Sequence, residues 1–262
     1  MSTDDIRIER KGARADLILN RPRRHNALTE AMWLAIPELL APLAEDESLR
    51  LLVVRGTGGS FASGADIGEF ETAYATLERA ETYSNGIADG LNALADFPKP
   101  TLAAIEGVCI GGGCGLALAC DLRFAAEGSR FGITPAKMGL AYPFNDTKRL
   151  AEAVGLSTAK DLLFTGRHVS ADEALQIGLI DRLLEPGALA ETVSDYAALL
   201  ETRSSVTARI TKAMLTRLEA GQTDEDAITR QWFLDAFTSA DFKEGYRAFL
   251  DKRAPDFKRR QD

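Results

Sequence analysis

Residues Ala103–Ala125 read AAIEGVCIGGGCGLALACDLRFA: an apolar run, then five glycines within nine residues (Gly107, Gly111, Gly112, Gly113 and Gly115), then a second apolar run of helical character. A strand that reaches a helix start through so many glycines presents backbone amides that have no partner inside the helix. Those amides suit a negative group. Three chemistries compete for them. A P-loop requires G-x-x-x-x-G-K-[ST], and no lysine follows these glycines. A dinucleotide fingerprint requires G-x-G-x-x-G, and neither GGGCGL nor GCGLAL brings its third glycine into register. An oxyanion hole, in which an amide donates to an oxygen that gains charge during reaction, remains open. So does the plainer reading that the glycines only let a helix pack closely against its neighbours.

Working outward, the segments on either side alternate strands with helices. IRIER and ADLILN around KGAR read as a hairpin. From Thr29 the pattern TEAMWLAIPELLAPLAED is helical despite Pro37 and Pro42, and LRLLVVRGTG follows as a buried strand. A polar helix is expected from about Glu71 to Asp96, ended by the prolines of FPKP before the strand TLAAIEG. Beyond the glycines, DLRFAAEG and RFGITP read as short strands. SADEALQIG reads as a helix with Ser170 as N-cap, Glu173 completing a capping box and Gly178 as the stop. From about Pro186, helix follows helix. An α/β core over residues 1–190 and a C-terminal helical region over 191–262, serving oligomerisation, are expected.

Composition excludes several function classes. The chain has 262 residues, 45% of them hydrophobic and 27% charged, which is globular and enough for one large core. Its net charge of −8 argues against a general nucleic-acid binder, which needs clustered Lys and Arg. Cys109, Cys114 and Cys120 lie close together in an apolar stretch without nearby histidines, and read as buried free thiols rather than metal ligands. No segment approaches the length of an apolar membrane span, and the acidic start MSTDDIRIER has no signal-peptide core. A soluble cytoplasmic protein that binds no nucleic acid, membrane or metal is expected.

A second glycine-rich turn, RGTGGSFASGADIGEF, also leaves a strand and offers a free amide at Ala65, just before Asp66. Two such turns can face one oxygen. Together with LNRPRRHNAL near the start and FKEGYRAFLDKRAPDFK near the end, they resemble the crotonase superfamily, the enoyl-CoA hydratase and isomerase family, over nearly the whole chain. The resemblance implies a spiral of ββα turns with a C-terminal helical region, assembled as a homotrimer or a dimer of trimers. It implies an acyl-CoA thioester as substrate, with coenzyme A as part of that substrate and no separate cofactor. The amides of Ala65 and Gly112 would hold the thioester oxygen. Arg24 and the backbone of Gly64, Asp66 and Ile67 would border the CoA, with the adenine near Ala62 and Ala65. Phe249 and Lys252 would close over the CoA of a neighbouring subunit.

The same resemblance makes Gly115 informative. Hydratases of this family carry a glutamate there and a second one in the segment written here as FGITPAKMGLAYPF, and the pair performs general acid–base work. This chain has glycine at 115 and no acid between Ile133 and Met138. Water addition is therefore disfavoured, and so is double-bond isomerisation by the usual base. A lyase such as a malonyl-type-CoA decarboxylase fits, because losing CO₂ yields the enolate directly. The segment also resembles the methylmalonyl-CoA decarboxylase branch at Thr134, Pro135 and Tyr142, but departs from it at Ala65, where that branch has histidine, and at Gly115. Tyr142 is expected to orient or protonate the substrate as a neutral hydroxyl. Asp146 is expected to cap a helix. The alternatives are a hydratase or isomerase that recruits Asp146, Asp66 or Glu69, and an acyl-CoA-binding protein without catalysis. Cavity walls are expected from the polar helix and the C-terminal helices. His25 and His168 read as surface residues.

Overall fold

The computed structural model describes residues 4–257, so the last five residues of the expected C-terminal region lie outside the described residues. The hairpin forms as read: β1 (Ile6–Lys11) pairs antiparallel with β2 (Arg14–Leu19). Thr29 then caps α1 (Glu30–Glu45), its hydroxyl accepting the Met32 amide at 3.3 Å. Met32, Trp33, Ile36 and Leu40 form the buried stripe of α1, a helical spacing that leaves both prolines off the core side. Next comes β3 (Leu51–Gly56).

The helix expected over 71–96 is two helices, α2 (Phe70–Ala73) and α3 (Leu77–Ala95). Thr76 is extended and its side chain accepts the Arg79 amide, so a capping residue starts a new helix inside what reads as one polar run. Helix α3 lies close on α1 through Gly90, where a Cβ would sit 2.9 Å from the Trp33 carbonyl.

Then come β4 (Thr101–Ile105), β5 (Val108–Ile110), α4 (Gly112–Leu118), β6 (Leu122–Ala126) and β7 (Arg130–Gly132). Helix α5 (Phe144–Thr165) is bent at Gly155 and leads to β8 (His168–Ser170), α6 (Ala171–Gln176) and β9 (Arg182–Leu184). Ser170 caps α6 as expected, but the carboxylate of Glu173 pairs with Arg167 at 2.6 Å. Successive turns of the chain feed two sheets, ordered β1-β2-β3-β4-β6-β9 and β5-β7-β8. This is the α/β spiral expected, and strands β2 to β9 of the larger sheet run parallel.

Both faces of the larger sheet are buried. One packs under α1 and α3, with Leu17, Leu52, Val54, Ala103 and Ile105 against Met32, Ile36, Leu91 and Leu94. The other carries Leu51, Val53, Leu102 and Phe124, covered by Leu189, Val193 and Ala197 of α7 (Leu189–Glu201). The expected boundary at 190/191 therefore falls inside a core helix. A parallel sheet needs cover on both faces, and α7 supplies it. The helical remainder is α8 (Ser205–Glu219), α9 (Ala227–Thr238) and α10 (Ala240–Leu250), none of which contributes more than one buried residue. Among the described residues no helix is long and apolar enough to cross a membrane, and no group of His, Cys, Asp and Glu could hold a metal ion. The three cysteines are free and buried.

Candidate active site

Three segments far apart in sequence are clamped together by their main chains. Leu28 and Ala65 form a parallel bridge, as do Ala62 and Cys109. The Leu28 amide donates to the Gly64 carbonyl at 2.8 Å, and the Ile110 amide donates to the Ala62 carbonyl at 2.9 Å. Asn26 organises the first segment. Fully buried at φ +55°, it donates to the carbonyls of Thr57 and Ser60 and accepts the Arg21 amide at 2.8 Å. Asn26 was not singled out in the sequence, so this hub was missed.

The clamp brings the two glycine turns into contact. Gly64 has φ +99°, and a Cβ on it would lie 2.9 Å from the Ile110 carbonyl and 3.1 Å from the Gly112 nitrogen. Neither the backbone conformation nor the gap admits a side chain. A Cβ on Gly112 would in turn lie 3.5 Å from the Ala65 nitrogen. Among the described residues neither the Ala65 nor the Gly112 amide has an acceptor, so two free donors stand side by side at the start of α4.

These amides open on a cavity of about 440 Å³. One wall is Gly64, Ala65, Gly111 and Gly112, with Trp33 behind; α3 adds Ile87, Leu91 and Asn92; the other side is the segment from Thr134 to Arg149. The C-terminal helices expected in the wall are not among its lining residues. A larger hollow of about 630 Å³, bordered by Arg50, Lys99, Ser204 and Arg209, lies apart from the glycine turns and touches neither free amide.

Gly115 now has its reason. A Cβ there would lie 3.2 Å from the Tyr142 hydroxyl and 3.6 Å from Leu91. The hydroxyl borders the space that a side chain at 115 would enter. Tyr142 follows a 3₁₀ turn, Pro135–Met138, that ends at left-handed Gly139. Its ring is half-buried, but its hydroxyl is buried and has no partner among the described residues. Burial, with the Asp146 charge adding to it, raises its pKa well above 10, which suits a neutral donor and opposes release of its proton.

Asp146 departs from expectation. The N-cap of α5 is Pro143, and Asp146 stands in the first turn with its carboxylate 3.1 Å from the Arg149 guanidinium. It does not cap the helix, because the proline starts it three residues earlier; it faces the cavity. Burial raises its pKa, and the Arg149 pairing only partly offsets that. Arg149 itself donates to the Asn92 side-chain oxygen, Oδ1, at 2.7 Å. Sequence reading missed Arg149 and Asn92, although Asp and Arg three apart on a helix are a recognisable pair.

The other acids weighed are engaged elsewhere. Burial pushes the Asp66 carboxyl up, but Arg21 at 2.8 Å and the Gly68 amide outweigh it and hold its pKa below the ordinary value. Glu69 accepts the Glu30 amide at 2.7 Å. Arg24 is exposed, and its own carbonyl accepts the Ser63 hydroxyl, which sets it beside the glycine loop. Ile67 lines the cavity mouth, 64% exposed. Ala62, expected beside the adenine, is fully buried with its amide and carbonyl both bonded across the bridge, so it clamps the loops and offers no surface to a ligand. Phe249, 83% exposed, and Lys252, just past α10, do not line this cavity within one chain. His25 and His168 are both at the surface.

Comparison with known proteins agrees with this geometry. The family profile described as enoyl-CoA hydratase/isomerase matches residues 9–260. The chain is 34% identical to a crotonyl-CoA hydratase of Syntrophomonas wolfei over 98% of its length and 99% of that protein. It is 32% identical to a short-chain-enoyl-CoA hydratase of Clostridium acetobutylicum, with 97% of each covered. Among solved structures, an enoyl-CoA hydratase/isomerase family protein from Hyphomonas neptunium superposes with a TM-score of 0.95 at 47% identity, covering 98% of both chains.

Proposed function

The chain belongs to the enoyl-CoA hydratase/isomerase family, and from that membership we propose that it is an acyl-CoA enzyme that moves a double bond by carrying a proton on Asp146. The thioester oxygen of an enoyl-CoA accepts the amides of Ala65 and Gly112, which stabilise the charge it gains. The Asp146 carboxylate takes a proton from the carbon between the thioester carbonyl and the double bond of a 3-enoyl-CoA: a C–H bond breaks, an O–H bond forms, and the electrons delocalise over the dienolate onto the thioester oxygen. The same carboxyl returns the proton to the far carbon of the old double bond, leaving the new double bond next to the carbonyl carbon. Nothing is gained or lost overall.

One observation carries the reading. Asp146 is the single carboxylate among the residues lining the cavity, and burial raises its pKa, which narrows the gap to a carbon acid. The case for base-free decarboxylation drew on an acid-free site, and a buried Asp146 removes that support. Hydration is the second reading, favoured by the names of the relatives, crotonyl-CoA hydratase and short-chain-enoyl-CoA hydratase. One carboxylate serves a proton shuttle between two carbons more readily than it serves both proton transfers of water addition. CoA itself runs past Arg24 and the backbone of Gly64, Asp66 and Ile67. Phe249 and Lys252 reach a neighbouring subunit of a trimer or dimer of trimers, a role supported by the exposed aromatic residues Phe233, Phe237, Phe242 and Phe249 on α9 and α10.

The test is turnover of the purified protein on 3-hexenoyl-CoA, crotonyl-CoA and methylmalonyl-CoA. Conversion of the first to 2-hexenoyl-CoA supports the reading. Turnover confined to hydration or to CO₂ release overturns it.

A further inference from the structure

Arg149 divides its guanidinium between two partners on two helices. On α5 its Nη1 donates to Asp146 Oδ1 at 3.1 Å, while its Nη2 donates to Asn92 Oδ1 on α3 at 2.7 Å. A guanidinium has only donors, so the Asn92 atom that faces it is the side-chain oxygen. The bond to the neutral amide is the shorter of the two. Nη2 is committed to Asn92, and no bond from Arg149 reaches Asp146 Oδ2.

The chain also contains the arrangement that Asp146 lacks. On β2 the Arg14 guanidinium grips both oxygens of the buried Asp16, with Nε 2.5 Å from Oδ1 and Nη2 3.0 Å from Oδ2. Two such parallel bonds are the strongest pairing an arginine offers a carboxylate, and they favour its charged form. Asp146 receives one bond from a cation that is anchored on another helix.

No other charge replaces that grip. Among the residues lining the cavity Arg149 is the single cation and Asp146 the single anion, and Tyr74 and Tyr142 are the remaining titratable side chains. The Tyr142 hydroxyl, from the loop before α5, feels the Asp146 charge and is neutral wherever a carboxyl titrates. Helix α4, packed against α5, carries no charged residue, and its buried Cys114 thiol donates to the Cys109 carbonyl at 2.8 Å. On α3 the acids nearest Asn92 in sequence, Asp89 and Asp96, are exposed. On α5 itself Lys148 is exposed and pairs with Glu152.

We propose that Asn92 is a positioning residue: by anchoring Arg149 from α3 it limits that cation to a single bond with Asp146, and so keeps the carboxyl able to take up and return a proton. That this proton is the one moved in the reaction rests on the proposed function. A carboxylate gripped at both oxygens would stay ionised and would be a weaker base.

The carboxyl ¹³C resonance of Asp146 in the full chain, assigned by its absence from Asp146→Asn, reports the titration midpoint with no substrate present. Asn92→Leu is close in size and cannot accept, so Nη2 is released to close on Oδ2, and the midpoint moves down by about one pH unit. Asn92→Asp sets a second carboxylate on Arg149, which leaves less of the cation to Asp146 and adds a like charge, and the midpoint moves up by about as much. An asparagine that only supports the fold would not move it in opposite directions. The acid limb of kcat/KM on 3-hexenoyl-CoA follows each midpoint. Midpoints that stay in place, or that move the same way in both folded variants, overturn the inference; should one variant not fold, the direction in the other decides. Midpoints that part while the acid limb stays fixed uphold the role of Asn92 and overturn Asp146 as the proton carrier.

Discussion

The two walls of the acyl cavity are built on different principles. The glycine wall, Gly64–Ala65 and Gly111–Gly112, offers only backbone donors and is fixed by main-chain bridges to Leu28 and Cys109. The opposite wall, Thr134–Arg149, works through side chains: a buried tyrosine hydroxyl just before α5 and a buried carboxylate in its first turn. Under the proposed function, the first holds the carbonyl oxygen of a CoA thioester and the second decides what happens to the acyl group. A fold shared with hydratases therefore says more about the first wall than the second.

Removing the carboxylate breaks the comparison most severely. Asp146→Asn keeps the shape and the Asn92–Arg149 contact but removes the proton carrier, so kcat falls by about 10²–10⁴-fold with little change in acyl-CoA affinity. Steady-state kinetics with parallel titration measure both. Unchanged kcat would return proton transfer to another group.

The glycine wall answers with a smaller loss. Gly112 is the first residue of α4, a position where proline is tolerated because its amide has no helical partner. Gly112→Pro deletes one of the two free donors, and kcat falls by about 10²–10³-fold. Circular dichroism should retain the helical signal, although the ring must displace Trp33 Cζ2, 3.1 Å from the Cβ position. A folded variant with wild-type kcat would show that the oxygen is bound elsewhere.

Acidity distinguishes the walls without any change of shape. Burial raises the Asp146 pKa above 3.8, so kcat/KM falls roughly ten-fold per pH unit below that raised value, a limb the backbone wall cannot produce. The sign for stability follows. A raised folded-state pKa favours the folded protein when the carboxyl is protonated; this contribution is complete below about 3.8 and is lost as pH rises through the raised value. Denaturant melts should therefore find wild type gaining on Asp146→Asn as pH falls through that window. A difference independent of pH would mean that the carboxyl titrates alike in both states.

Legibility divides along the same line. Glycines that no side chain can replace leave a mark in the sequence, and the free amides at Ala65 and Gly112 stand side by side at the two turns, the pair that the family resemblance implied. The strands of the core, the helix start at Thr29 and the cap at Ser170 were equally readable, because each depends on neighbours in sequence. The break at Thr76 was not, since a polar run hides an internal cap. Nor was the direction of Asp146: an acid near a helix start is a cap or a cavity residue according to where the helix begins, and Pro143 rather than Asp146 begins it. Trp33 read only as part of a helical pattern, which does not show that its indole nitrogen is buried without a partner among the described residues.

The smallest effect joins the two walls at Gly115. Replacing a helical glycine with alanine ordinarily stabilises by roughly 0.5–1 kcal/mol, because less backbone freedom is lost on folding. Here the new methyl would stand 3.2 Å from the Tyr142 hydroxyl, closer than ordinary contact, so the gain in Gly115→Ala is largely cancelled. Tyr142→Phe removes the hydroxyl and opens that space. Gly115→Ala should then show its full gain in the Tyr142→Phe background, which makes the two substitutions non-additive by about 0.5–1 kcal/mol. Urea denaturation of the four proteins measures the cycle. Additive changes would mean that the hydroxyl swings clear of α4 at little cost, and glycine at 115 would need another explanation.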